Sequence, residues 1–175
     1  ANVIFGVRTT SVGLDTNGDG IIDTTRNGSV KMLEQGAATT GPNATVYVDD
    51  DTFGGGPGGP GDQDDAVATG GFLSHTYSSG KVVLTGAQFP CDLGLCITTL
   101  TDTLIIITQN GVDVLEIEIL DPATGAYRVR QIEPLDHGPD GGGNYENDIL
   151  FTIGYDAISS DGDTASGMLT INVND

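Results

Sequence analysis

At 175 residues, 37% of them hydrophobic, the chain is long enough for one compact domain with a real core, or for one domain with an added segment. Six basic residues against 25 acidic ones give a formal net charge of −19, which repels nucleic-acid phosphate and anionic lipid headgroups alike and sets those partners aside. No apolar run approaches the length that spans a bilayer, so a soluble chain without membrane insertion is expected.

Such self-repulsion disfavours a compact state unless cations sit among the carboxylates, so the chain either tolerates high salt or binds divalent metal. Helical periodicity is nowhere sustained. Short runs of Val, Ile, Thr, Tyr and Phe recur between Gly, Asp and Asn clusters, which predicts an all-β fold.

In chain order, residues 3 to 8 read as a short apolar strand near the terminus, able to add to the sheet edge of a neighbouring subunit. The segment LDTNGDGIID then places Asp15, Asn17, Asp19, Gly20, the Ile21 carbonyl and Asp23 in the order of a D-x-N-x-D-G calcium loop. Alternating oxygens in such a loop wrap a hard cation at roughly 2.3–2.6 Å, and the glycine permits the sharp turn. Magnesium fits less well because it demands a tighter octahedron and keeps its water. The last ligand position of an EF-hand, a bidentate Glu, is here Arg26, and no helical pattern flanks the loop. An EF-like loop between strands is therefore expected, completed by water or by another acid such as Glu34. The plainer alternative is an Asp/Asn/Gly turn without metal. Asn27-Gly-Ser and Asn43-Ala-Thr match the glycosylation sequon and are left unassigned.

A strand over residues 45 to 48 runs into Asp49, Asp50 and Asp51. A strand end can turn successive carboxylates toward one ion, so these three are candidate calcium ligands, as, more weakly, are Asp62, Asp64 and Asp65. Residues 53 to 65, rich in Gly and Pro, cannot form a ladder and read as a surface loop or linker. The chain then divides into an N-terminal arm with the calcium loop (1 to 52), the linker (53 to 65) and a β-sandwich (66 to 175), or forms one domain overall.

A strand is expected over residues 81 to 84. Cys91 and Cys96, in PCDLGLC, read as a loop-stapling disulfide in an exported protein, since zinc or redox sites lack their further ligands and spacing. Residues 103 to 108 form an unbroken apolar run that suggests burial on both faces. Residues 112 to 120 and 126 to 133 predict a hairpin through DPATG, where Pro122 presets a turn and Gly125 takes positive φ. In its first strand Val112, Val114, Leu115, Ile117 and Ile119 are assigned to the core and Asp113, Glu116 and Glu118 to water, a slip in alternation that implies a bulge.

A second hairpin joins residues 148 to 158 to residues 164 to 174 through SSDGD, where Asp161 and Asp163 form another candidate calcium pair. Seven or more short strands at this spacing predict an immunoglobulin-like antiparallel β-sandwich with calcium-binding loops. Enzyme signatures are poor: there is no G-x-S-x-G, H-E-x-x-H or P-loop, and His75 and His137 read as turn or surface residues. No catalytic role is expected.

The stretch from VDDDTFGGGPGGPGD through LDPATGAYRVRQIEPLDHGPDGGGNYENDILFTIGYDAISSDGDTASGMLTINVND resembles the repeated extender domains of type I-secreted RTX adhesins of Gram-negative bacteria, over about residues 46 to 175. DPATGAY, PLDH, GGGNYEN and DGDTASGMLTINVND carry the resemblance by their order and gaps. It implies tandem immunoglobulin-like sandwiches at the bacterial cell surface that bind calcium and hold a distal ligand-binding region away from the cell, in adhesion and biofilm. By position, Asp161 and Asp163 match the family's DGD turn, and Asp49 to Asp51 its acidic domain start. The Cys91–Cys96 loop departs from these repeats, and residues 1 to 45 fall outside the match.

The function expected is thus a secreted, calcium-stabilised structural domain whose partners are copies of itself or neighbouring repeats, joined head to tail where the terminal strand adds to the next subunit. Alternatively, it is a calcium-dependent module that binds a glycan or protein ligand. A hydrolase is the third class, and nothing singles out its acids.

Overall fold

The computed structural model describes residues 8–14, 24–30, 37–49, 68–89, 93–138 and 148–174. All of their regular structure is β, and the chain divides into two units, residues 1 to 36 and 37 to 175. In the first unit, β1 (Arg8–Leu14) and β2 (Thr24–Val30) pair antiparallel, from Arg8↔Val30 to Leu14↔Thr24. The terminal strand expected over residues 3 to 8 lies outside the described residues except at Arg8, where β1 begins.

In the second unit, β3 (Thr39–Thr40), β4 (Val46–Asp49), β5 (Ala68–Phe72), β6 (His75–Thr76), β7 (Gly80–Gln88), β8 (Leu95–Leu100) and β9 (Leu104–Gln109) are followed by β10 (Val112–Asp121), β11 (Ala126–Gln131), β12 (Ile149–Ser159) and β13 (Thr164–Asn174). One sheet runs β5-β11-β10-β9-β8, a second runs β4-β13-β12-β7, and β3 pairs with β6. Pairing is antiparallel except between β4 and β13. Ile105, Ile107, Leu115, Ile117 and Val129 of the first sheet share one core with Val48, Val82, Ile153, Tyr155, Leu169 and Ile171 of the second. This arrangement is consistent with a β-sandwich. Each fully buried Val, Leu or Ile contributes about 1.5–3 kcal/mol relative to an exposed one.

The expected hairpins form. Between β10 and β11, Gly125 has φ 72° and donates its N–H to the Asp121 carbonyl at 2.9 Å, while Ala123 N–H donates to the Asp121 carboxylate at 3.0 Å. The implied bulge falls between Asp113 and Leu115, so Val114 and Leu115 are both buried. Val112, assigned to the core by alternation, is instead 54% exposed: it precedes the bulge at the tip of the strand, beside the Asn110-Gly111 turn. Both residues of that turn have positive φ, the twist that suits a two-residue hairpin. In β9, Ile105 and Ile107 are fully buried, whereas Leu104 and Ile106 are half-buried on the outer face, opposite Glu118 and Glu116. Across β10 and β11 these two acids meet Arg128 and Arg130: Arg128 reaches Glu118 at 2.7 Å and Glu116 at 3.4 Å, and Arg130 reaches Glu116 at 3.2 Å.

Residues 37 to 49 belong to the larger unit, which begins after Gly36. Two contacts account for this. The strand β4 lies alongside the end of β13, from Val46↔Ile171 to Asp49↔Asn174, with Val48 fully buried. Ahead of it, Asn43 donates to the Tyr155 hydroxyl at 2.9 Å and to the Met168 carbonyl at 2.9 Å, and accepts from Ser74 N–H at 2.8 Å. The Tyr155 hydroxyl in turn donates to the Ser74 carbonyl at 2.7 Å. A glycan on Asn43 Nδ2 is incompatible with these bonds, so this sequon is not a modification site of the folded chain.

At the free side of β7, Val82 N–H donates to the Pro122 carbonyl and Leu84 N–H to the Asp102 carbonyl, each at 2.8 Å. Turns of the first sheet thereby cover an edge of the second, which would otherwise present unpaired backbone to other chains.

Candidate functional site

The antiparallel ladder of β1 and β2 closes on the pair Leu14↔Thr24, so residues 15 to 23 are the connection of a β-hairpin. The D-x-N-x-D-G segment is therefore bracketed by strands, as expected of an EF-like loop and unlike an EF-hand. Asp15, Asn17, Asp19, Ile21 and Asp23 themselves lie outside the described residues, as do Asp50, Asp51, Glu34, Asp62, Asp64, Asp65 and Cys91. Cys96 lies in β8 as an exposed thiol, and no disulfide occurs among the described residues. Among those residues, too, no three His, Cys, Asp or Glu side chains gather in a way that could hold a metal.

Asp161 and Asp163 sit in the β12–β13 turn, where Gly162 has φ 100°. Ser159 Oγ donates to the Asp161 carboxylate and accepts from Asp163 N–H at 3.1 Å, while Ser159 N–H donates to the Asp163 carbonyl at 2.8 Å. The Ser159 hydroxyl holds the Asp161 pKa below the ordinary carboxylate value. Because the folded-state pKa is the lower one, the turn's contribution to stability is present above the unfolded pKa and is lost as pH falls through the lowered value. Asp161→Asn is expected to remove that part of the acid limb of the stability profile; an unchanged acid limb in urea unfolding from pH 6 to pH 2 contradicts the assignment.

Asp49 closes β4 next to Asn174 of β13. On the other side of β13, Asn172 Nδ2 donates to the Asp148 carboxylate at 2.8 Å, and Asp148 immediately precedes Ile149, the partner of Val173. Asn172 and Asn174 are buried although they occupy the face of β13 opposite to Ile171 and Val173. The Asn172 Oδ1 is buried without a hydrogen-bond partner, an uncompensated acceptor of the kind a cation or an ordered water satisfies. Sequence reasoning passed over Asp148, Asn172 and Asn174. Their available signal is the pair of amides in TINVN at a spacing of two, set where a surface strand would otherwise carry charge.

Of the two histidines read as turn or surface residues, His75 packs at a tilt against Tyr77 with ring centroids 4.6 Å apart, its Nδ1 lying 2.6 Å from the Leu73 carbonyl. Tyr77 donates to the Ala123 carbonyl at 2.8 Å, so this pair braces the DPATG turn.

Comparison of the chain with family models, curated proteins and solved structures returned no match. The likeness to RTX adhesin repeats accordingly rests on the sequence motifs alone.

Proposed function

We propose that this chain is a calcium-stabilised structural domain of an extracellular bacterial adhesin or self-assembling surface filament, built as an immunoglobulin-like sandwich with calcium-binding loops. The observation that carries the reading is the D-x-N-x-D-G segment spanning the connection of the β1–β2 hairpin. A loop whose two ends are clasped by a ladder has already lost much of its closure entropy, so less ordering remains when its oxygens gather round an ion.

Two further features support it. With a net charge of −19, divalent cations relieve a repulsion that the protein's few basic residues leave uncompensated. The end of β4, from which Asp50 and Asp51 continue, pairs with the end of β13, where the Asn172 Oδ1 is buried without a partner, and on this reading calcium is held there as well. On this reading calcium stiffens a secreted extender, and the strand of residues 3 to 8 adds to the sheet edge of the next subunit. It has no catalytic role.

Electron microscopy of the purified chain is the test of assembly. Filaments are expected with millimolar calcium and absent with chelator, and deletion of residues 1 to 9 is expected to leave folded monomers. A chain that stays monomeric with calcium at high concentration, or a deletion that polymerises like the parent, overturns the filament reading.

A further inference from the structure

The chain enters the larger unit at Ala37 and runs beside the last strand of that unit, in the same direction. Thr40 Oγ1 donates to the Ser166 carbonyl at 2.6 Å and Asn43 Nδ2 to the Met168 carbonyl at 2.9 Å, and from Val46↔Ile171 to Asp49↔Asn174 the two segments form a parallel ladder. Residues 40 to 49 thus stay alongside residues 166 to 174 throughout. Because the two run parallel, the point where the chain enters and the point where β13 ends lie at opposite poles of the sheet, roughly 25–30 Å apart at the rise of a strand.

That geometry decides how the unit meets tension. A pull on its two ends drags β4 toward one pole and β13 toward the other, so the row is sheared and its bonds must lengthen together. Strands drawn apart from one end instead lose their bonds one at a time. The strand β13 does not yield first, since β12 holds it on its other side from Ile149↔Val173 to Ile158↔Thr164. Nor can β4 creep along it: a slip of one position would turn the fully buried Val48 from the core to the outer face. Asn43 braces the row from outside the ladder, accepting from Ser74 N–H at 2.8 Å and donating to the Tyr155 hydroxyl at 2.9 Å.

We propose that the larger unit is a load-bearing element, with the row of residues 40 to 49 against 166 to 174 as its mechanical clamp. The inference rests on the structural reading for the source of the tension, an extender or filament held between two anchors. The clamp itself needs only the parallel ladder and its side-chain braces, so it stands or falls apart from calcium.

Single-molecule force spectroscopy of the full chain tests it, in calcium throughout, with handles on azide-bearing residues placed either at positions 37 and 175 or at positions 37 and 160. Ala37 and Ser160 are both exposed, and Ser160 follows the end of β12, at the pole where the chain enters. The second pair of handles therefore opens the row from its Thr40 end, bond after bond. At one loading rate the 37/175 pair is expected to need at least about twice the unfolding force of the 37/160 pair, since forced unfolding follows the barrier along the direction of pull. Val48→Ala and Val129→Ala, at fully buried positions in opposite sheets, supply a second arm. Both are expected to lower stability in urea, and only Val48→Ala to lower the 37/175 force markedly. Equal forces in the two geometries, or a Val129→Ala chain that loses as much 37/175 force as Val48→Ala, overturns the proposal. Either result beside intact calcium binding would leave the calcium reading standing, whereas directional strength in a chain that binds no calcium would remove that reading and leave the clamp.

Discussion

Replacing Tyr155 with alanine is expected to cost about 3–5 kcal/mol of stability, the range for removing a large buried aromatic. Tyr155 is fully buried among both sheets, and its hydroxyl is the point where three chain segments meet, accepting from Asn43 and donating to the Ser74 carbonyl. Against a typical domain stability of about 5–15 kcal/mol, that loss leaves a marginal fold. Tyr155→Phe separates the two contributions. It keeps the ring and strands the Ser74 carbonyl, so the expected cost is about 1–3 kcal/mol. Gly167→Ala provides an independent check on the same packing, because a Cβ there would lie 2.4 Å from Tyr155 Cζ. Urea unfolding measures all three, and a Tyr155→Phe chain as stable as the parent contradicts the role assigned to the hydroxyl.

Withdrawal of calcium is expected to have the next largest effect. A site filled at a hundredfold excess of free ion over its dissociation constant adds about 2.7 kcal/mol. For a chain of this size each kcal/mol moves the melting temperature by roughly 2–4 °C, so each vacated site lowers it by about 5–10 °C. The carboxylates that lose their ion also repel one another, which adds to the loss at low salt and is screened at high salt. Thermal unfolding in calcium and in chelator, each at low and high sodium chloride, reads both parts. A melting curve indifferent to chelator at low salt is the contrary result.

The parts of the fold legible in the sequence are those set by local pattern. Alternation in DILFTIGYDAI and TINVN marked β12 and the end of β13, and the single slip in VDVLEIEIL marked the bulge at Asp113 and Leu115. The parts that escaped are set by distant contacts. The strand β5 was missed because ATGGF has little β propensity, yet Gly70 is required where its Cβ would lie 2.3 Å from the Tyr127 carbonyl oxygen of the adjoining strand. The strand β8 was hidden inside a segment read for its cysteines, and it pairs from Leu95 onward with the edge that β9 offers.

 The parallel pairing of β4 with β13 joins positions more than 120 residues apart, so no local signal announces it. For the candidate site, the presence of strands on either side of residues 15 to 23 was legible. The pairing of Asp49 with Asn174 was not, since it exists only once β4 lies beside the last strand of the larger unit.

The account depends on an ion being held by the loop of the β1–β2 hairpin. Calorimetric titration of the calcium-free chain with calcium, set beside an Asp15→Ala, Asp19→Ala variant, measures this directly. The parent is expected to bind with saturable heat, and the variant to lose one site while keeping any other. Equal binding by parent and variant, or no binding by either at millimolar calcium, would contradict it.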